Sequence, residues 1–485
     1  MSSRNKHSRI ALRLLPLLLA SALAGCAVGP DYLRPASTLP QGYSEPSAAT
    51  QANPLVEQDW WKLFKDPVLD RLVDKALVAN TDIRIAVARV EQAEALAREA
   101  GAAYLPEIDA VAAGSRSRIS TKTATPMPAS TPVVRNARSA ALTTSYELDV
   151  WGRVRRSNEA IEAGALASRY SRDAIRLTVA GLVARNYLAL RAYDAQLAVT
   201  AESVASRETT LKLARTRVDA GLASPLDLYT AEGALATVQA QAAELRRQRA
   251  LTEHQLAQLT ATLDLKIAAG DLRQLPVPPV PPAGLPSTLV ESRPDVRQAE
   301  ETLVAANAGI GVAKAGYFPK FTLTGSLGSE SKTMADLFGA GANTWSLGLG
   351  LFMPILDFGR TSARVDQASA LEQQSLAAYQ GTLQTAFKEV NDSLVNLREN
   401  ATGEVAQSVR VEAAAKALKL AQLRYKSGYS GYLEVLEAER ASNDSLLAYI
   451  STRQARLGAA VDLFKALGGG WKEGFAVAES GQRAP

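Results

Sequence analysis

Apolar and small residues step by three and four through two related stretches of the chain. Leu211, Ala214, Val218 and Gly221 do so in LKLARTRVDAGLASPLDLYTAE (211–232), and Leu418, Ala421, Tyr425 and Gly428 in LKLAQLRYKSGYSGYLEVLEAE (418–439). The two align without a gap at an offset of 207, with nine of 22 positions identical. Each reads as a helix that stops at a glycine, turns and restarts. Glycine takes the left-handed position after a helix at no steric cost, and Pro225 suits a first helical turn. The rhythm resumes through Leu228, Ala231, Leu235, Val238, Ala242 and Leu245. A seven-residue apolar repeat winds helices around neighbours, so each half of the chain carries a long antiparallel helical hairpin. Periodicity alone equally describes a soluble helical bundle.

The helices ahead of these turns are long. No proline interrupts Arg153 to Ser224, and none lies between Arg360 and Pro485. A helix from Gly152 to Gly221 would be roughly 105 Å long, far beyond ordinary globular helices. In the second copy, Gly381 to Gly403, with NDS and REN nearby, reads as a kink or interruption.

Elsewhere the period falls to two. Phe321, Leu323, Gly325 and Leu327 alternate with Lys320, Thr322, Thr324 and Ser326; Trp345, Leu347, Leu349, Leu351 and Met353 alternate with Ser346, Gly348 and Gly350. Weaker alternation covers 108–114 and 142–148. Such segments are strands with one apolar face. A small sheet packed on helices is one reading. Two hairpins give only four strands, however, and nothing else in the chain is evident to cover them. In a membrane only a closed barrel satisfies strand backbone, and membrane barrels need at least about eight strands. On that reading several identical chains pool their strands. After the leader, no apolar window is long enough for a transmembrane helix.

Residues 1–25 form a secretory leader: Arg4, Lys6, Arg9 and Arg13 precede the apolar run 14–23. The only cysteine, Cys26, follows in LAGC (23–26), which resembles a bacterial lipobox; a free buried thiol is the alternative. Lipidation of Cys26, with palmitate, is therefore expected. One acyl chain anchors weakly, so further membrane attachment is expected too. Ala27 after the cysteine resembles outer-membrane sorting. The leader also carries most of the positive charge. Of 54 Lys+Arg against 49 Asp+Glu, four cations and no acid lie in the leader, leaving 50 against 49. A near-neutral mature chain supports no nucleic-acid partner.

The remaining organisation is a duplication. Residues 26–66 read as an extended arm. Residues 67–275 form a first repeat with a β-hairpin at about 107–149 and a helical turn at about 221–225. A proline-rich linker, 276–286, leads to a second repeat, 287–468, with a β-hairpin at about 320–356 and a turn at about 428–433. A tail, 469–485, follows. Asp82, Arg84, Tyr104 and Pro106 match Asp295, Arg297, Tyr317 and Pro319 at an offset of 213, and Trp151-Gly152-Arg153 matches Phe358-Gly359-Arg360 at 207. The six extra residues in the first half fit a loop tip at 121–132.

CAVGPDYLRP after the lipobox, WWKLFKDPVLDRLVDKAL, SRPDVRQAE, GYFPKFTL, PILDFGR and the duplicated helical hairpin, in that order, resemble the TolC-like outer-membrane factors, in their lipoprotein (OprM-like and NodT-like) branch. The resemblance spans nearly the whole mature chain. It implies a mixed, mostly α fold: a homotrimer with a shared 12-stranded transmembrane β-barrel, a periplasmic α-barrel of coiled-coil hairpins, and a mixed belt between. It further implies the exit duct of a tripartite efflux pump for drugs and other toxic small molecules. Its partners would be a periplasmic adaptor (membrane fusion protein), an inner-membrane transporter of RND type, and outer-membrane lipid. The helical turns then form the periplasmic end. Glu434 and Glu437 match the family's acidic constriction, with repeat counterparts Asp227 and Thr230. Ser430 occupies the place of a basic gate partner found in some relatives, so no ion pair is expected there. Adaptor-contact candidates are Arg217, Gly221, Leu226, Arg424, Gly428 and Leu433. Capping and packing account first for the glycines and leucines.

No enzyme is expected. One of the two histidines leaves with the leader, and no metal-ligand cluster, phosphate-binding loop or nucleophile elbow occurs. Neither metal nor cofactor is expected beyond the lipid. A secretion duct for polypeptides, or a lipid-anchored periplasmic scaffold without a pore, are the competing functions.

Overall fold

A computed structural model describes residues 27–36, 39, 40, 42, 43, 58–122, 128, 132–280 and 292–471. Cys26, the leader, linker residues 281–286 and tail residues 472–485 lie outside the described residues. The elements are α1 (Pro67–Ala79), α2 (Thr81–Ala102), β1 (Glu107–Arg118), β2 (Val134–Leu148), α3 (Arg153–Asp219), α4 (Pro225–Leu259), α5 (Pro294–Ala315), β3 (Lys320–Ser331), β4 (Asn343–Phe352), α6 (Arg360–Lys426) and α7 (Tyr432–Ala466). The repeats match closely: α3 and α6 have 67 residues each, and α4 and α7 have 35 each.

Two compact units divide the chain. The first takes the described parts of Met1–Pro35, Glu91–Ala167 and Glu300–Ala378. Its four strands form one antiparallel sheet in the order β1-β2-β3-β4. The two hairpins, far apart in sequence, are thus joined by a β2–β3 ladder from Leu148↔Phe321 to Arg138↔Ser331. Directly opposed residues share a face. One face carries Ile108, Leu142, Leu148, Phe321, Leu323, Leu327, Trp345, Leu347, Leu349 and Leu351. Most of these are exposed, Trp345 at 79%. The other face is small and polar, with Thr143, Ser145, Thr322, Thr324, Ser326 and Ser346. The outer edges of β1 and β4 have no strand partner among the described residues.

The Trp-Gly-Arg motif makes the corner from β2 to α3. Gly152 turns the backbone at φ 78°, and Asp149 accepts hydrogen bonds from Val154 N (2.8 Å) and Arg155 N (2.9 Å), capping α3. Trp151 stacks on Phe318 at 4.7 Å and donates to the Pro319 carbonyl. Arg153 forks onto Glu147, which Lys320 also contacts. The start of the arm is fixed here: Val28 N donates to the Trp151 carbonyl, Asp31 pairs with Arg156, and Arg34 forks onto Glu300.

The second unit takes the described parts of Ala36–Val90, Ser168–Ala299 and Tyr379–Pro485. The arm is not extended throughout. Trp60–Phe64 form a 3-10 turn whose Trp60, Trp61 and Phe64 are buried, with Trp60 stacked on Phe464. Burying three large rings outweighs the open conformation that the flanking composition favours. Asp66 caps α1 through Val68 N, and Pro67 takes the first helical position. Arg293 of the SRPDVRQAE motif, buried, reaches Asp295, Glu389 and the Ala466 carbonyl. Residues 267–275 form a strap held by buried charges. Asp194 accepts from Arg249 (2.6 Å) and Gly270 N, and Arg453 donates to the carbonyls of Leu272 and Leu275. The tail begins fixed: Trp471 Nε1 donates to Asp173.

The interruption expected over 381–403 is absent, and α6 runs unbroken. Asn391 and Ser393 donate to the carbonyls of Phe387 and Glu389, four residues back, so their polar groups are satisfied without breaking the helix. A glycine within a helix costs about 1 kcal/mol, which the packing of Leu383, Ala386 and Val390, all buried, offsets.

Candidate functional site: the hairpin tips

Both helical turns lie in the second unit and are built alike. Gly221 and Gly428 are left-handed, at φ 69° and 78°. Leu222 N donates to the Arg217 carbonyl (2.8 Å) and Tyr429 N to the Arg424 carbonyl (2.9 Å). These six-to-one bonds satisfy carbonyls orphaned at the helix ends. The restarts differ. Ser224 caps α4 by accepting from Leu226 N, with Pro225 next, whereas Gly431 offers α7 no side-chain cap.

Beneath the turns a small core joins both hairpins: Ala214, Ala231, Ala421, Tyr432 and Val435, with Leu211, Tyr425, Leu436 and Ala438 against it. Alanines at three of the five buried positions let the backbones approach closely. Tyr425 and Tyr432 lie 6.0 Å apart, and the Arg217 guanidinium sits 4.7 Å above the Tyr425 ring. Burial, helped by the Glu439 charge, pushes the Tyr432 hydroxyl up to about 12.

The repeat breaks its own symmetry here. Arg424 is the counterpart of Arg217, but the counterpart of Tyr425 is Val218, which offers no ring. Arg424 instead pairs with Glu434 at 3.0 Å. Ser430 supplies no cation here; the one that meets Glu434 comes from the preceding helix. Glu437 pairs with Arg440 at 2.8 Å. Asp227 is half-buried and makes no ion pair among the described residues.

The glycines cap, as expected, but the leucines do not pack. Leu222, Leu226, Tyr229, Tyr429 and Leu433 are all at least 65% exposed. The sequence stepping identifies the seam that holds Leu211, Ala214, Ala421 and Tyr425. It gives no sign of the stacked Arg217 or of the apolar crown, because both depend on which residues face across two distant hairpins.

No helix among the described residues is long and apolar enough to cross a membrane, and no group of His, Cys, Asp or Glu there is placed to hold a metal ion.

The chain matches the family described as "Outer membrane efflux protein" over residues 72–262 and 285–469. The two matched segments begin 213 residues apart and end 207 apart, the same two offsets that relate the internal repeats. It is 36% identical over 467 residues to the outer membrane protein OprJ of Pseudomonas aeruginosa, covering 94% of this chain and 96% of that protein. It is 34% identical over 475 residues to the toluene efflux pump outer membrane protein TtgI of Pseudomonas putida, covering 94% and 98%. The open-state MtrE outer membrane channel of Neisseria gonorrhoeae superposes with a TM-score of 0.82 at 31% identity, over 92% of this chain and 99% of that one. Together with the duplicated strand–helix architecture, these matches make the chain a member of the outer membrane efflux protein family, the TolC-like factors that serve as exit ducts in the outer membrane.

Proposed function

We propose that three copies of this chain close one pore, each contributing four strands to a 12-stranded barrel. The sheet carries the argument. It presents an apolar face of Leu, Ile, Phe and Trp side chains and two edges, β1 and β4, without a strand partner among the described residues. Open edges and an uncovered apolar face are both costly in water, and open edges are worse in lipid. Pairing β1 of one copy with β4 of the next removes the edges and leaves the apolar face to lipid. The small polar face then lines the lumen.

At the hairpin tips, Leu222, Leu226, Tyr229, Tyr429 and Leu433 would meet a periplasmic adaptor, with Arg217 and Arg424 held at their base. An RND-type inner-membrane transporter would supply the energy, and the duct would conduct passively, with no catalysis and no cofactor. Asp227, Glu434 and Glu437 would set the charge of the closed end. The toluene-pump relative points to apolar toxic small molecules as cargo. A lipid on Cys26 would supplement the barrel as an anchor. Mass determination and planar-bilayer conductance on the detergent-purified mature protein test the reading. A trimer with stepwise conductance is expected; a non-conducting monomer overturns it.

A further inference from the structure

The apolar face of the sheet does not end in neutral residues. Along β1, the column Ile108, Ala110, Ala112, Gly114 continues into Arg116 and Arg118. Along β2, the column Leu148, Tyr146, Thr144, Leu142, Ala140 continues into Arg138. The ladder pairs Gly114 with Arg138 and Arg116 with Asn136, so the three arginines stand on the face that bears Trp345 and the leucines. Trp345, opposite Leu327 and hence level with Leu142, marks the height of the aromatic girdle. Arg138 lies four residues farther, about 13 Å along the strand. Arg116 and Arg118 lie farther still, with Lys122 beyond them.

These charges lack local partners. No acidic residue occurs between Ala110 and Tyr146. Glu330, the nearest acid across the ladder, opposes Ser139 and points to the other face. Arg116 and Arg118 make no side-chain hydrogen bond or ion pair among the described residues, and both are exposed. Arg138 is held flat instead. Its guanidinium donates to the carbonyls of Ser115 and Ala137, and its chain lies across Gly114, where a Cβ would come within 3.3 Å. Like charges in one small patch repel. They are stabilised where the counter-charge comes from outside the protein.

We propose that Arg116, Arg118 and Arg138 form a binding surface for the phosphate groups of an outer-leaflet glycolipid, one copy of the surface on each subunit. The position selects the partner. A cationic cluster directly above a lipid-facing apolar band meets headgroups at the depth where their phosphates lie, while the acyl chains contact the leucines below. Arginine forks match phosphate oxygens. The inference rests on the barrel reading, because it requires this face to be the lipid face.

The test uses the full mature protein in detergent, with bisphosphorylated lipid A as the probe and native mass spectrometry as the readout. Wild-type trimers are expected to retain the lipid. A combined Arg116→Ser, Arg118→Ser, Arg138→Ser variant is expected to bind it more weakly by on the order of 100-fold, at about fivefold per lost cation. The corresponding triple Arg→Lys variant keeps the charge and is expected to retain most of the binding. Fully dephosphorylated lipid A should bind wild type and the Ser variant alike. Equal retention of bisphosphorylated lipid A by wild type and the Ser variant overturns the proposal. So does a Ser variant that falls to monomers without lipid while the Lys variant stays trimeric, since the arginines would then serve a subunit contact. Conductance separates the two readings: a conducting trimer with no lipid preference sinks only this inference, and a non-conducting monomer sinks the barrel as well.

Discussion

Replacing Glu404 by Gln removes the anion from the best-buried ion cluster of the second repeat. Its side chain is 8% exposed and accepts from Arg453 and Arg456, themselves 14% and 29% exposed. Arg453 in turn holds the carbonyls of Leu272 and Leu275. Gln keeps the shape but leaves two guanidinium groups facing a neutral amide. Breaking one partner out of a buried pair costs about 3–5 kcal/mol. The arginines retain some water contact, so the lower end, about 3 kcal/mol, applies. That is on the order of 100-fold in an opening equilibrium. The loss should be local. Gln274 N and Leu275 N bond to Asp271 and Leu272 within the strap, and their hydrogen exchange should quicken by about 100-fold while exchange in α3 is unchanged. The sign with pH follows from the carboxyl. Burial pushes Glu404 up, but the hydrogen bonds and charges of Arg456 and Arg453 outweigh it and hold the carboxyl below its ordinary 4.5. Its contribution is therefore present above pH 4.5 and lost as pH falls through the lower folded value. The difference between wild type and Glu404→Gln should narrow in acid. A change in strap exchange below about threefold at pH 7 would refute the reasoning, since it would mean the cluster contributes almost nothing.

Glu434 and Glu437 at the tips behave differently, being exposed pairs worth less than about 1 kcal/mol. Glu437→Gln should leave thermal stability nearly unchanged and lower cation selectivity in a planar bilayer; unaltered selectivity and conductance would count against its place at the closed end. At Gly328 a Cβ would stand 2.4 Å from the Ala140 carbonyl oxygen and 2.5 Å from the Ala141 Cβ. Gly328→Ala should therefore strain the ladder joining the two hairpins, by about 1–3 kcal/mol, and lower the temperature at which the oligomer dissociates; an unchanged dissociation temperature would show that the ladder yields freely. Cys26→Ala should abolish incorporation of labelled palmitate while trimers still form, and retained label would place the acyl chain elsewhere.

The local grammar of this chain is plain in its residues. Asp66-Pro67, Ser224-Pro225, Gly221 and Gly428 mark helix starts and stops because capping uses neighbours a few residues away. The strands show themselves by alternation because one face is apolar throughout. What lies hidden depends on distant partners. Nothing near Leu148 reveals that it meets Phe321, so the union of the hairpins is invisible until the sheet is seen. Trp60 and Trp61 sit in a polar, proline-rich context that reads as open chain, yet Trp60 stacks on Phe464 and Trp61 packs edge-on against Trp60. Gly381 and Gly403 look like breaks because local propensity ignores the buried seam that carries α6 past them. At the tips, the repeat shows that Arg217 and Arg424 are equivalent in sequence. Only the facing residue, Tyr425 for one and Glu434 for the other, makes them different in structure.

The bare margins of β1 and β4 bear on inheritance. A solitary subunit cannot rest in lipid, since each unsatisfied peptide group there costs several kcal/mol and β1 alone is 12 residues long. On the three-copy barrel proposed above, insertion and association are a single event, so a damaged copy that still joins spoils its two sound companions. Lesions confined to the sheet should consequently act as dominant negatives, whereas lesions that prevent joining should be recessive.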